Sequence, residues 1–209
     1  MQLSIRDAHQ LAVRIMSALG HDADDAGLIA DHLIDCELRG LSYGGLARAI
    51  SIAERIARTG DRRRPISIRH ETPVSAQLDG GDHLGYIVAH RATAIAVEKA
   101  SSAGIAVVGA NDTWYTGMLS YYAEIAAARD IAERIRSGVA GRYFPDDALR
   151  ATVRLTASLG IASFPQHADS LFDLVGNADK ALYIAKVNGK NRVALFDKQR
   201  VTKNVGGQG

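Results

Sequence analysis

Three groups of residues in this 209-residue chain have the types and spacing to do chemistry. Lys186 and Lys190 stand four apart and straddle Gly189, at the end of the apolar-periodic stretch ADKALYIAKVNGK. Both ammonium groups can therefore reach one anion. The competing reading is a pair of solvated lysines at a helix C-terminus, where the backbone dipole favours positive charge anyway. Arg62-Arg63-Arg64, between Gly60 and Pro65, is the one long basic run. It reads as a solvated loop entering a strand, with a phosphate contact as the alternative. Cys36 is the single cysteine, so no disulfide forms within the chain. Its surroundings, LIADHLIDCELRG, have a helical period, which makes it a small buried thiol rather than a nucleophile.

The totals bound what these groups can serve. The chain falls between one large domain and two small ones, and its composition, 47% hydrophobic and 23% charged, is that of an ordinary soluble globular protein. A formal net charge of +2 does not call for nucleic acid. Polar and acidic residues break every apolar run in MQLSIRDAHQLAVRIM, unlike a signal peptide. No segment approaches the roughly 20 apolar residues of a membrane span, so the expected location is cytoplasmic.

The elements that must position these residues follow from periodicity. Ser4 caps a first helix with Leu11, Ala12, Ile15 and Leu19 on one face, closed by Gly20. Asp22 caps a second, to Leu38, with Ala26, Ile29, Ala30, Leu33 and Ile34 in three-four spacing. A third, 46–59, carries Ile50, Ile52, Ala53 and Ile56 and ends at Gly60. ISIRHETPVSAQLDGG is a β stretch broken by Pro73 and ending in a glycine pair suited to a tight turn. A helix from His83 and a short buried strand, 105–110, come next. The helix predicted over 117–139 keeps one apolar face through Tyr121, Tyr122, Ile125, Ala128, Ala132, Ile135 and Val139. After a turn at RYFPDD, RATVRLTASLGIA alternates as one strand. A last helix turns Leu171, Leu174, Val175, Ala178, Ala181, Leu182 and Ala185 inward, before the strand RVALF and a frayed tail.

Residues 1–129 resemble the N-terminal part of the malate/L-lactate dehydrogenase family, the NAD(P)-dependent oxidoreductases with a fold other than Rossmann. The residues that carry the resemblance are Arg39-Gly40, LSYGGLAR, LDGGDHLGY, AIAVEKASSAGIAVVGAND and WYTGMLSYYAEIAA. The family's strand-to-helix turn, D-G-x-x-x-x-G, falls on Asp79, Gly80 and Gly85. Gly80-Gly81-Asp82 is then a coincidence of turn chemistry and not the start of a GGDEF motif. The family's R-G-x-x-S-H-G-x-x-R segment falls on 39–48, with Tyr43 at the Ser position, Gly44 at the His position and Arg48 matching. A second family His falls on Tyr115. By resemblance, Arg48, Tyr43 and Tyr115 are the candidate catalytic residues: Arg48 would bind a substrate carboxylate bidentately. The two phenols either mark different chemistry or pack as half-buried amphipathic side chains. Neither Gly44 nor Tyr115 replaces imidazole well at neutral pH, since glycine has no proton to give and a free phenol titrates near 10.

Residues 126–197 resemble the C-terminal part of a GGDEF, or diguanylate cyclase, domain. IAERIRSGVA, TASLGIASFP and ADKALYIAKVNGKNRVALFD carry this resemblance, with Lys190 in place of the usual Arg. It implies that Lys186 and Lys190 hold the triphosphate of GTP, more weakly than a guanidinium would. The metal-binding carboxylate, the guanine-reading residues and the GGDEF hairpin have no counterpart here. Losing one such contributor typically costs ~10²–10³ in rate.

The two resemblances meet within one helix, near 126–129. They imply an α/β chain: a helical N-terminal segment, then mixed α/β layers, then a strand-helix-strand from a GGDEF-like sheet. The expected division is 1–129, 130–197 and a flexible tail 198–209. The expected function is a chimera, mostly oxidoreductase-like and catalytically incomplete. Its cofactor, by resemblance alone, is NAD or NADP, with no identifiable metal site. Its ligand is a small 2-oxo or imino acid, or GTP in the alternative reading as a degenerate nucleotide-signalling module. No nucleic acid or membrane partner is implied, and apolar faces without their usual cover suggest a homo-oligomer.

Overall fold

A computed structural model describes residues 3–146, 151–164, 167–168 and 170–197. The chain divides into two compact units, Met1–Ala126 and Ala127–Gly209.

The first unit begins with three helices, α1 (Ile5–Ala18), α2 (Ala23–Leu38) and α3 (Arg48–Thr59). Their ends obey local rules. The Ser4 Oγ accepts from the Asp7 N–H at 3.1 Å, and the Asp22 carboxylate accepts from the Asp25 N–H at 2.8 Å. α3 stops at Gly60, whose φ of 74° a residue with a Cβ adopts only at a cost. Between α2 and α3 lies a 3₁₀ turn, Ser42–Gly44. Met16, Ala26, Ile29, Leu33, Ala49 and Ile52 from these helices form one buried cluster with Leu84, Tyr86 and Ile87. Each large side chain buried there contributes roughly 1.5–3 kcal/mol relative to exposure. Ile50, expected on the inner face of α3, points outward and is exposed; Ala49 takes its place.

A three-stranded sheet follows, in the order β1 (Ser67–Thr72), β2 (Ser75–Leu84), β3 (Val107–Trp114). β1 and β2 are antiparallel; β2 and β3 are parallel, joined by α4 (Gly85–Ala103). The glycine pair does not end the strand, as the sequence suggested, but forms a bulge inside it. Asp79 pairs with Asn111 and His83 with Thr113, leaving Gly80, Gly81 and Asp82 opposite Asp112 alone. Gly81, Asp82 and Asp112 all have positive φ there. At Gly81 (φ 58°) a Cβ would strike the backbone of Arg64, so only glycine fits. Asp79 stitches the bulge: its carboxylate accepts from the Gly81 N–H at 2.9 Å and from Arg69, whose guanidinium holds its pKa down at about 2. The helix accordingly starts at Gly85 rather than His83. β3 runs longer than the 105–110 expected and is largely exposed, with Ile105 and Val107 open to solvent.

The arginine run is a loop, but Arg63 is not simply solvated. It bonds Asp61, the Gly20 carbonyl at 2.9 Å and His21 Nδ1 at 3.0 Å, locking the end of α1 to the loop. Arg64 pairs with Asp112.

α5 (Leu119–Ala140) contains the boundary between the units. Its buried face is carried by Tyr121, Tyr122 and Ala132, whereas Ile135 is exposed. In the second unit, β4 (Tyr143–Asp146) and β5 (Ala151–Arg154) pair antiparallel, so the RYFPDD turn is in part a strand. The single strand expected over 150–162 is two: β5 and β6 (Leu159–Ile161), with Leu155 exposed between them. β6 pairs parallel with β7 (Val193–Leu195), and α6 (Leu171–Val187) connects them. Ser170 caps α6 by accepting from the Asp173 N–H at 3.1 Å. Only Ala181 and Ala185 of the expected inner face are fully buried; Leu171 and Val175 are exposed. The tail 198–209 lies outside the described residues.

Among the described residues, no helix is long and apolar enough to cross a membrane.

Candidate functional site

A cavity of about 260 Å³ lies in the first unit. Its walls come from the end of α2, the 3₁₀ turn, the start of α3, the start of α4 and the segment 115–118 ahead of α5. Tyr43, Arg48 and Tyr115, named from sequence, all line it, together with Tyr86, Met118 and Cys36. Tyr43 sits on the rim and is 72% exposed, which rules out the half-buried packing role for it.

Arg48 is held by its face. Its Cζ lies 4.9 Å from the Tyr115 ring centroid. Tyr115 in turn meets Trp114 edge-on at 5.3 Å, and Arg55 caps Trp114 at 4.3 Å. The result is a four-member stack, Arg48–Tyr115–Trp114–Arg55, of the cation–π kind. Tyr115 has φ 55°, a left-handed conformation that costs a residue with a Cβ roughly 1–2 kcal/mol. The stack offsets part of that cost. With its face covered, the Arg48 guanidinium keeps its N–H edge for hydrogen bonds, and no carboxylate among the described residues is ion-paired with it.

Gly44 stands where the resemblance places a histidine. A Cβ there would lie 3.4 Å from Cys36 Sγ, so the glycine leaves that thiol on the cavity floor. Burial raises the thiol pKa, which keeps it protonated and argues against a nucleophile.

The segment 115–118 is supported by His32, which is fully buried. Its Nε2 accepts the Met118 N–H at 2.8 Å, which assigns the ring proton to Nδ1. Its ring packs on Tyr86, Tyr121 and Tyr122 at centroid distances of 4.7, 4.4 and 5.5 Å. Burial pushes its pKa down to about 4, so it is neutral at physiological pH. Tyr122 donates its hydroxyl hydrogen to the Thr116 carbonyl at 2.6 Å. Gly117, at φ 73°, lies against His32 and Tyr86 so closely that a Cβ would overlap both. Burial also raises the Tyr86 phenol to about 12.

Sequence reasoning passed over His32 and Tyr86. The signal for His32 was its place on the apolar stripe of α2, three residues after Ile29 and four before Cys36. A polar residue on such a stripe needs a partner, and Met118 supplies it.

In the second unit, Lys186 lies in the last turn of α6 and Lys190 just beyond it, at φ 58°; both are exposed. Among the described residues no cluster of three or more potential metal-ligating side chains occurs.

A half-buried cation stacked on an aromatic ring lines a small cavity beside a parallel β–α–β unit, in a mixed α/β protein. Comparison with known proteins narrows that class. The profile of the malate/L-lactate dehydrogenase family matches residues 3–135, and that of the diguanylate cyclase GGDEF domain matches 117–192. Malate/(S)-sulfolactate dehydrogenase from Methanothermus fervidus is 31% identical over 132 residues, covering 63% of this chain and 39% of that protein. Malate dehydrogenase from Pyrococcus abyssi is 36% identical over 116 residues, covering 55% and 32%. The structure of malate dehydrogenase from Pyrococcus horikoshii superposes with a TM-score of 0.59 at 28% identity, over 63% of this chain and 38% of that one. The chain belongs to the malate/L-lactate dehydrogenase family. It spans less than two-fifths of the length of these relatives.

The cavity, about 260 Å³, is smaller than a nicotinamide dinucleotide, and its lining holds one charged side chain, Arg48.

Proposed function

We propose that the first unit binds the carboxylate of a small 2-oxo or imino acid at Arg48, and that the chain does not complete hydride transfer by itself. The carrying observation is the Arg48 guanidinium stacked on Tyr115 with its N–H edge free in the cavity. A charge-assisted, bidentate contact of that kind contributes roughly 1.5–3 kcal/mol. The hydroxyls of Tyr43 on the rim and Tyr86 within can hydrogen-bond the 2-oxo or imino group. With glycine at 44 and a phenol at 115, no imidazole lines the cavity to move a proton at neutral pH. NAD or NADP is the cofactor class that family membership brings to this reading; a relative is named as ureidoglycolate dehydrogenase (NAD(+)). The chimeric organisation has its support in the two family matches, which overlap over 117–135, within and just ahead of α5.

The test has two parts. NAD(P)H oxidation with pyruvate, oxaloacetate or a cyclic imino acid is expected to stay at background, while calorimetry with the same acids gives saturable heat that Arg48→Met abolishes. Heat unchanged in Arg48→Met would overturn the binding reading, and turnover by the parent chain would overturn the incomplete-enzyme reading.

A second reading assigns GTP to Lys186 and Lys190. It is favoured by the GGDEF match, which includes both lysines. GTP titration of the parent chain and of Lys186→Ala and Lys190→Ala tests it: equal heats in all three remove its basis.

A further inference from the structure

Resting on the carboxylate-site reading above, we propose that the cavity selects monoanionic 2-oxo or imino acids with an apolar or ring-bearing side chain, and discriminates against dicarboxylates. The relatives compared above are named for malate and sulfolactate, which are both dianions. A dianion needs a cation or a set of hydrogen-bond donors for each charged end, because an unpaired carboxylate in a half-buried site keeps its desolvation cost.

Here the charge count is one. Arg48 is the single charged side chain among the residues lining the cavity. The nearest other guanidinium in the stack, Arg55, is committed to the far side of Trp114 and to Asp82 at 3.4 Å. Arg39, at the end of α2, is occupied by Asp35 at 2.9 Å and by both oxygens of Glu124 at 2.9 and 2.7 Å. Neither is free for a second carboxylate.

The rest of the lining is uncharged: Leu41, Tyr43, Tyr86, Tyr115, Thr116 and Met118, with the Cys36 thiol and two glycines. Tyr86 stays a neutral phenol, its ionisation opposed by burial, so it adds no charge of either sign. Methionine and tyrosine faces suit a flat or aliphatic group, and the hydroxyls of the lining offer a second carboxylate neutral donors but no second positive charge. Gly44 leaves open the space beside Cys36 Sγ, which a Cβ would approach to 3.4 Å.

The experiment is competitive binding to the full chain, by calorimetry at pH 7.5 and low salt, with phenylpyruvate as the aromatic monoanion and oxaloacetate as the dianion. Phenylpyruvate is expected to bind at least tenfold more tightly. Arg48→Met is expected to weaken phenylpyruvate at least tenfold. Arg48→Lys, which keeps the charge but loses the planar stack, falls between, provided circular dichroism shows it folded. Oxaloacetate binding as tightly as phenylpyruvate, with both lost in Arg48→Met, overturns the selectivity while leaving the carboxylate site standing. Failure of both acids to bind the parent chain overturns the site itself, and this inference with it.

Discussion

Adding one methyl group at residue 117 tests the whole back wall of the site. Gly117→Ala places a Cβ inside contact distance of His32 and Tyr86, in a backbone at φ 73°. The conformation alone costs roughly 1–2 kcal/mol for a residue with a Cβ. Overpacking against two buried rings costs a further ~1–3 kcal/mol. Any outward shift of the wall stretches the 2.8 Å Met118–His32 bond, whose loss is worth about 0.5–1.5 kcal/mol. With some relaxation, a destabilisation of about 3–5 kcal/mol is expected, a large share of the ~5–15 kcal/mol typical of a domain. Trp114 is the only tryptophan in the chain and packs against the first unit's core, so its fluorescence in urea reports this unit. With a slope of ~1–3 kcal/mol per molar urea, the midpoint should fall by about 1 M or more. Gly27→Ala is the matched control. It lies inside α2 with nothing within 4 Å of an added Cβ, and should raise the midpoint slightly, by about 0.5–1 kcal/mol of added stability. A Gly117→Ala midpoint within about 0.3 M of the parent would refute the packing of residue 117 against the His32–Tyr86 pair.

Stability of the first unit should fall on acidification below neutrality. His21 and His32 both titrate near 4 when folded, below the ordinary 6.5, because burial disfavours their charged forms. Between those values the unfolded chain binds more protons, so stability rises with pH there. Each contributes on the order of 3 kcal/mol, lost as pH drops from about 6.5 to 4. His32→Gln, which can still accept the Met118 N–H, should flatten that dependence of the Trp114 transition, and an unaltered slope would count against a buried neutral His32. Arg39→Ala should cost about 1–3 kcal/mol, since it strands the buried Asp35 carboxylate. Glu124→Gln, on the exposed side of the same guanidinium, should cost under ~1 kcal/mol, and equal effects would contradict this ranking. Two compact units predict non-coincident urea transitions by Trp114 fluorescence and far-UV circular dichroism, whereas one sharp shared transition from a monomer would mean a single cooperative body.

The sequence by itself determined what depends on neighbours three or four residues away. The Ser4 and Asp22 caps, the stop of α3 at Gly60 and the buried Cys36 were legible because capping and helical periodicity are local. Arg48, Tyr43 and Tyr115 were named through the order of family motifs, and all three line one cavity. Local reading failed where burial depends on a distant partner. Val107 and Leu155 sit in strand-like patterns yet are exposed, because alternation reports two faces and not whether either is covered. The DGG stretch promised a turn and became a bulge, since Arg64, 17 residues earlier, donates its N–H to the Gly81 carbonyl and holds the strand in line. Only the tertiary structure decided that His32 supports Met118, a contact across 86 residues, and that Tyr115 turns its ring under Arg48. Such contacts form when the core closes, and the desolvation that makes them strong does not exist until it has.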